Sequence, residues 1–181
     1  MKNVLRFLVV AALFVFAVRA ADDVVSAVHG TVTKLDSGTK TMVVKTKDGT
    51  EHTVHFVDKT TVWGADKTAA GAKDTFKGLS EGSEVVVHYT KKGTVDTATE
   101  IDKIGKDGLK SVDGTVTKVG KDGKTVVVKS SDGTEHTFEV AGHDTADAAK
   151  DIGKGTDKAA KATVYYTDEG GKKVAHFFEK F

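Results

Sequence analysis

Apolar and polar residues alternate along Val28 to Leu35, break at Asp36-Ser37-Gly38, and alternate again through Thr41 to Thr46. A period of two is the pattern of half-buried strands, and the polar cluster between them is that of a turn. Asp48-Gly49 then predicts a hairpin of the primed type. His52 to Val57 follows as a third strand, with Val54 and Phe56 on the buried face and Thr53 and His55 on the other. The alanine- and lysine-rich stretch from Asp66 to Phe76 predicts a short helix closed by Gly78. Glu84 to Tyr89 and Val95 to Ile101, separated by Lys91-Lys92-Gly93, complete five strands.

The same signals then return. Val112 to Val140 repeats Val28 to Phe56 with more than half of the positions identical, including GTVTK (Gly30 to Lys34, Gly114 to Lys118) and DGTEHT (Asp48 to Thr53, Asp132 to Thr137). A helix over Thr145 to Ile152, capped by Asp144, and a hairpin from Ala162 to Thr167 through Gly170-Gly171 to Val174 to Phe178 close the second pass. Three meandering strands, a helix and a final hairpin is the order of a small OB-like barrel. The expected fold is therefore mainly β: two tandem five-stranded OB-like barrels, residues 28–103 and 112–181, each with a short helix between strands three and four, joined by a linker at 104–111. One continuous sandwich of ten strands is the alternative, since sequence sets strand number better than closure.

The first twenty residues read differently. Lys2 and Arg6 precede an apolar run from Phe7 to Val18, and Val18-Arg19-Ala20 offers a cleavage site, so residues 1–20 are expected to be a secretory signal. The run is too short to span a bilayer, which implies a periplasmic or secreted protein with no stable membrane insertion after cleavage. The chain has no cysteine, so each barrel must be held by its apolar core. Beyond residue 20 there is no arginine and the balance is slightly acidic, so forked phosphate contacts and long-range attraction to nucleic acid are not expected.

GTVTK, the second strand VVVK, DGTEHT and LSEGSEVVVHYT (Leu79 to Thr90) together resemble a widespread bacterial secreted domain of unknown function with an OB-like barrel. That resemblance implies the fold and no particular activity. A more distant similarity is to the small periplasmic copper-binding barrels of metal efflux systems, whose site joins a histidine, two methionines and a tryptophan. Trp63 and several histidines are available here, but Met42 is the only methionine beyond the signal, and a soft Cu(I) site needs sulfur.

Seven histidines are the one compositional hint of chemistry. His52 and His136 follow the two Asp-Gly turns, where they are expected to cover the core rim while their rings bond Asp48 or Asp132. The alternative is a weak Zn(II), Ni(II) or Cu(II) site, for which imidazoles and carboxylates must converge at about 2 Å from the ion. His29 and His88, on strands expected to be neighbours, are the pair that could converge. Trp63 is expected to plug the mouth of the first barrel, with ligand or partner contact as its other role. His176-Phe177-Phe178 fits a last strand packing on its barrel, or an aromatic end docked on the other copy. Gly78-Leu79-Ser80-Glu81-Gly82 matches the G-x-S-x-G pattern but begins a strand instead of following one, so it reads as a turn.

The residues thus predict an exported, non-enzymatic binding or structural module of the cell envelope, without cofactor, that contacts a protein or envelope component and no nucleic acid. Divalent-metal or copper binding through histidines is the second reading.

Overall fold

The computed structural model describes residues 25–65, 75–106, 108–140 and 160–180. Six strands, β1 (Val25–Asp36), β2 (Thr41–Lys45), β3 (Glu51–His55), β4 (Thr61–Trp63), β5 (Glu84–Lys92) and β6 (Val95–Lys103), form one sheet in the order β3-β2-β1-β5-β6-β4. A parallel pair between β3 and β6 joins its ends. Five more, β7 (Lys110–Val119), β8 (Thr125–Ser130), β9 (Glu135–Val140), β10 (Lys161–Glu169) and β11 (Lys172–Lys180), form a closed barrel in which β9 and β11 are the parallel pair. Among the described residues there is no helix. The helices expected at 66–76 and 145–152 fall outside those residues, except for Thr75 and Phe76, which sit in a turn.

The two units share their register. Val32 faces Val44 and the next pair is Lys34 with Val43; Val116 faces Val128 and the next pair is Lys118 with Val127. Thr33 and Thr117 are thus the extra residues of equivalent bulges, which bend the first strand of each unit across its barrel. The GTVTK glycines serve the same close approach: a Cβ on Gly114 would lie 2.6 Å from the Lys129 carbonyl oxygen, and Gly30 meets the Lys45 carbonyl in the same way.

The Asp-Gly hairpins differ from the primed turn expected. Gly49 and Gly133 have positive φ (88° and 86°) but Asp48 and Asp132 do not. Gly49 N donates to the Thr46 carbonyl and Thr46 N to the Thr50 carbonyl, which is a type I turn followed by a left-handed glycine. The aspartates hold it from the side: Asp132 Oδ1 accepts from Ser130 Oγ (2.6 Å) and Thr134 N (2.9 Å).

Each barrel has its own core. Val32, Met42, Val44, Val54, Val85, Val87 and Ile101 fill the first, and Val116, Val126, Val128, Phe138, Val164 and Phe178 the second. The first mouth is covered by Phe76, edge-on to Phe56 at 5.5 Å, and by Leu79. Trp63 does not plug it. It lies on β4, a strand absent from the predicted order, and its side is turned outward, with 61 % of its surface exposed.

A third apolar cluster belongs to neither core. Val86, Leu109 and Tyr165, with Ala27, Ile104 and Phe177 against them, join the outer face of β1 and β5 to that of β10 and β11. This explains why Val85, Val86, Val87 and His88 are all buried: β5 has a barrel interior on one side and the second barrel on the other. Among the described residues no helix is long and apolar enough to cross a membrane.

Candidate functional site

A strand at such a seam sends every second side chain to the partner barrel. On β5 those residues are Glu84, Val86 and His88; on β6 they are Glu100 and Asp102, since Asp102 pairs with Val86 and Glu100 with His88. The second barrel meets them with β11, through a bulge. Tyr165 pairs with Phe177 and Tyr166 with Ala175, so His176 is the extra residue. A bulge breaks the alternation, and here it lets Ala175 and Phe178 both point into the core while His176 turns toward the first barrel.

The outcome is a cluster of two imidazoles and two carboxylates drawn from both barrels. His88 Nε2 lies 3.5 Å and His176 Nδ1 3.7 Å from Asp102 Oδ2. Ligand atoms of Glu100, Asp102 and His176 lie within 4.8 Å of one another. Asp102 is 0 % exposed, and neither of its oxygens accepts a hydrogen bond. An ionised carboxylate in that position carries a desolvation penalty of several kcal/mol, and a second carboxylate beside it adds like-charge repulsion.

The distances identify what the arrangement suits. At 3.5 and 3.7 Å the imidazole nitrogens are too far from Oδ2 for a hydrogen bond. The His88 separation is close to the edge of a coordination tetrahedron, about 3.3–3.5 Å for bonds of 2.0–2.1 Å, and the His176 separation exceeds it. A divalent cation among Glu100, Asp102 and His176 would neutralise both carboxylates and take the His176 imidazole, with His88 adjoining them through Asp102. Among the described residues no sulfur can join it: the chain lacks cysteine, and Met42 is wholly buried in the first core.

A second polar cluster flanks the apolar seam. His29 Nε2 lies 3.0 Å from Glu84 Oε1, and its Nδ1 is 3.1 Å from both Glu179 Oε2 and the Tyr165 hydroxyl. Tyr165 donates to Glu179 at 3.0 Å. Burial, reinforced by the Glu179 carboxylate, pushes the Tyr165 phenol well above its ordinary pKa. These contacts lie on opposite sides of the ring, so they clasp the barrels and do not form a ligand set.

Of the candidate histidines His29, His52, His88 and His136, only His88 adjoins the metal-like cluster, through Asp102. His29 shares its outer face, since Ala27 pairs with His88 and His29 with Val86, but it takes different partners. His52 lines a groove with Thr46, Asp48, Phe177 and Glu179 at the edge of the seam. His136 meets Ser130 Oγ at 3.1 Å, so it braces the turn through that serine and not through Asp132. Gly78 to Gly82 is a turn, as expected, with Ser80 Oγ 3.2 Å from Ser83 Oγ. Asp102, Glu100 and His176 were not legible as ligands. The available signal was Glu-Ile-Asp, two carboxylates on one face of a strand, beside a neighbouring strand whose same face carries histidine.

No protein-family model matches the chain. No curated protein matches it either. Among solved structures it is similar to Ag(I)CusF, at 11% identity and a TM-score of 0.33 over 44% of this chain and 97% of that one. It is also similar to drosophila Unr CSD456, at 14% identity and a TM-score of 0.31 over 88% of this chain and 62% of that one.

One expectation is corrected: OB-like barrels as a class include oligonucleotide binders, so the exclusion of nucleic acid as a partner does not stand. Net charge is an average over the whole surface, whereas such barrels bind on one face. Here Lys129 and Lys161 share a groove with Thr115, Thr117 and Ser130 despite the acidic overall balance.

Proposed function

We propose that this protein binds one divalent transition-metal ion in the seam between its two barrels, through Glu100, Asp102 and His176, with His88 beside Asp102. The observation that carries the reading is Asp102: wholly buried, unbonded at both oxygens, and converging with Glu100 and His176. Imidazole nitrogen and carboxylate oxygen suit Zn(II), Co(II), Ni(II) or Cu(II), and the lack of sulfur among the described ligands argues against Cu(I). Export, as the N-terminal segment predicts, would place that binding outside the cytoplasm.

Calorimetric titration of the purified, chelator-stripped protein with Zn(II) tests this. One ion per chain at about micromolar affinity or tighter is expected, weakened at least ~100-fold in Asp102→Asn and in His176→Ala. Equal binding by both folded variants, or none by the parent protein, rejects the reading.

A further inference from the structure

The contacts behind His176 say which of its nitrogens is available. Its Nε2 lies 3.0 Å from Thr167 Oγ1, and the same hydroxyl donates to Glu169 Oε1 at 2.8 Å. A threonine hydroxyl has one proton to give. Spent on Glu169, which as a carboxylate can only accept, it leaves Thr167 Oγ1 to accept from His176. The proton of the neutral imidazole therefore sits on Nε2, and Nδ1 presents a bare lone pair toward Asp102 Oδ2, 3.7 Å away.

We infer that Thr167 and Glu169 are positioning residues, holding His176 in the Nδ1-ligating tautomer for a borderline divalent ion of the zinc and cobalt class. The inference rests on the proposed metal site and extends it to two residues that touch no ion. The relay also suits the fold. Thr167 stands on β10 opposite Val174, within reach of the bulge on β11, so the hairpin that re-aims His176 also supplies the group that orients it. Glu169 is exposed and adjoins the Gly170-Gly171 turn. Partners of this kind fix ring orientation, and their loss costs metal sites 10- to 100-fold in affinity.

Co(II) is the probe, because its visible absorption reports ligand number and symmetry. Thr167→Val, which keeps shape and removes the hydroxyl, is expected to weaken Co(II) binding 10- to 100-fold and change the spectrum. Thr167→Ser is expected to restore both. Independently, long-range proton–nitrogen correlation on the metal-free protein should show His176 protonated at Nε2 and bare at Nδ1. Parent-like affinity and spectrum in Thr167→Val, or a proton on Nδ1 of neutral His176, would overturn the inference while leaving the metal site intact. If the parent protein takes up no Co(II), or if Asp102→Asn binds it equally well, the site itself is wrong.

Discussion

His176 Nδ1 stands 3.7 Å from Asp102 Oδ2, although one residue is the bulge of the last strand of the second barrel and the other is wholly buried on the first. The relationship ties the two barrels together at a point where both would be more stable without charge. That tension between folding and binding is the source of the first expectation.

In metal-free protein, Asp102→Asn should raise stability by about 1–3 kcal/mol, because a buried carboxylate without hydrogen bonds is replaced by a neutral group of the same shape. The urea midpoint in the presence of chelator measures it. A fall of that size would mean that the charge is already compensated within the protein and needs no ion.

Metal should act on both barrels at once, because its donors come from both. Zn(II) at about 100 times its dissociation constant should add about 2.7 kcal/mol to the unfolding free energy. It should also slow tryptic cleavage at Lys106, which is exposed between β6 and β7. Both effects should vanish in His176→Ala, and protection that survives in that variant would place the ion elsewhere.

Gly114→Ala should destabilise the second barrel by about 2–3 kcal/mol, in the range of an overpacked core, since the new Cβ meets backbone that cannot rotate away. Gly133→Ala, whose Cβ would meet nothing within 4 Å, tests strain at positive φ alone and should cost less, about 1 kcal/mol. Chemical denaturation of the two variants separates steric from conformational cost, and equal losses would refute the distinction.

Acid stability should depend on the turn carboxylates. The Ser130 hydroxyl, then the Thr134 amide, hold Asp132 down to about 2, and Asp48 is lowered by the equivalent Thr46 and Thr50. A carboxylate depressed in the folded state stabilises above its unfolded value near 4, and that contribution is lost as pH falls toward 2. Asp132→Asn should therefore flatten the decline in unfolding free energy between about pH 4 and pH 2. An unchanged slope would show that the turn bonds are not kept in solution.

The strands and their pairing were legible because alternation is local: Val28, Val32, Val44 and Val54 declare their inward face in a few residues each. The hairpin type was not, since Asp-Gly serves both the primed turn and the type I turn with a left-handed glycine, and the flanking Thr46 and Ser130 hydroxyls decide between them. Trp63 misled because an aromatic residue after a strand suits a plug, yet Phe76 already occupies that space. The site was hidden for a different reason. His88 is named by its strand alone, but Asp102 becomes a ligand only when the second barrel covers it, and His176 only when a bulge turns it outward. Apposition of two barrels and a one-residue slip are long-range facts that a period of two does not encode.

The most direct test is an anomalous difference map at the zinc edge from crystals of the zinc-loaded protein. The account predicts one peak about 2.0–2.2 Å from His176 Nδ1 and the carboxylates of Asp102 and Glu100. A seam without a peak, or a peak at His52, His136 or another surface histidine, would contradict it.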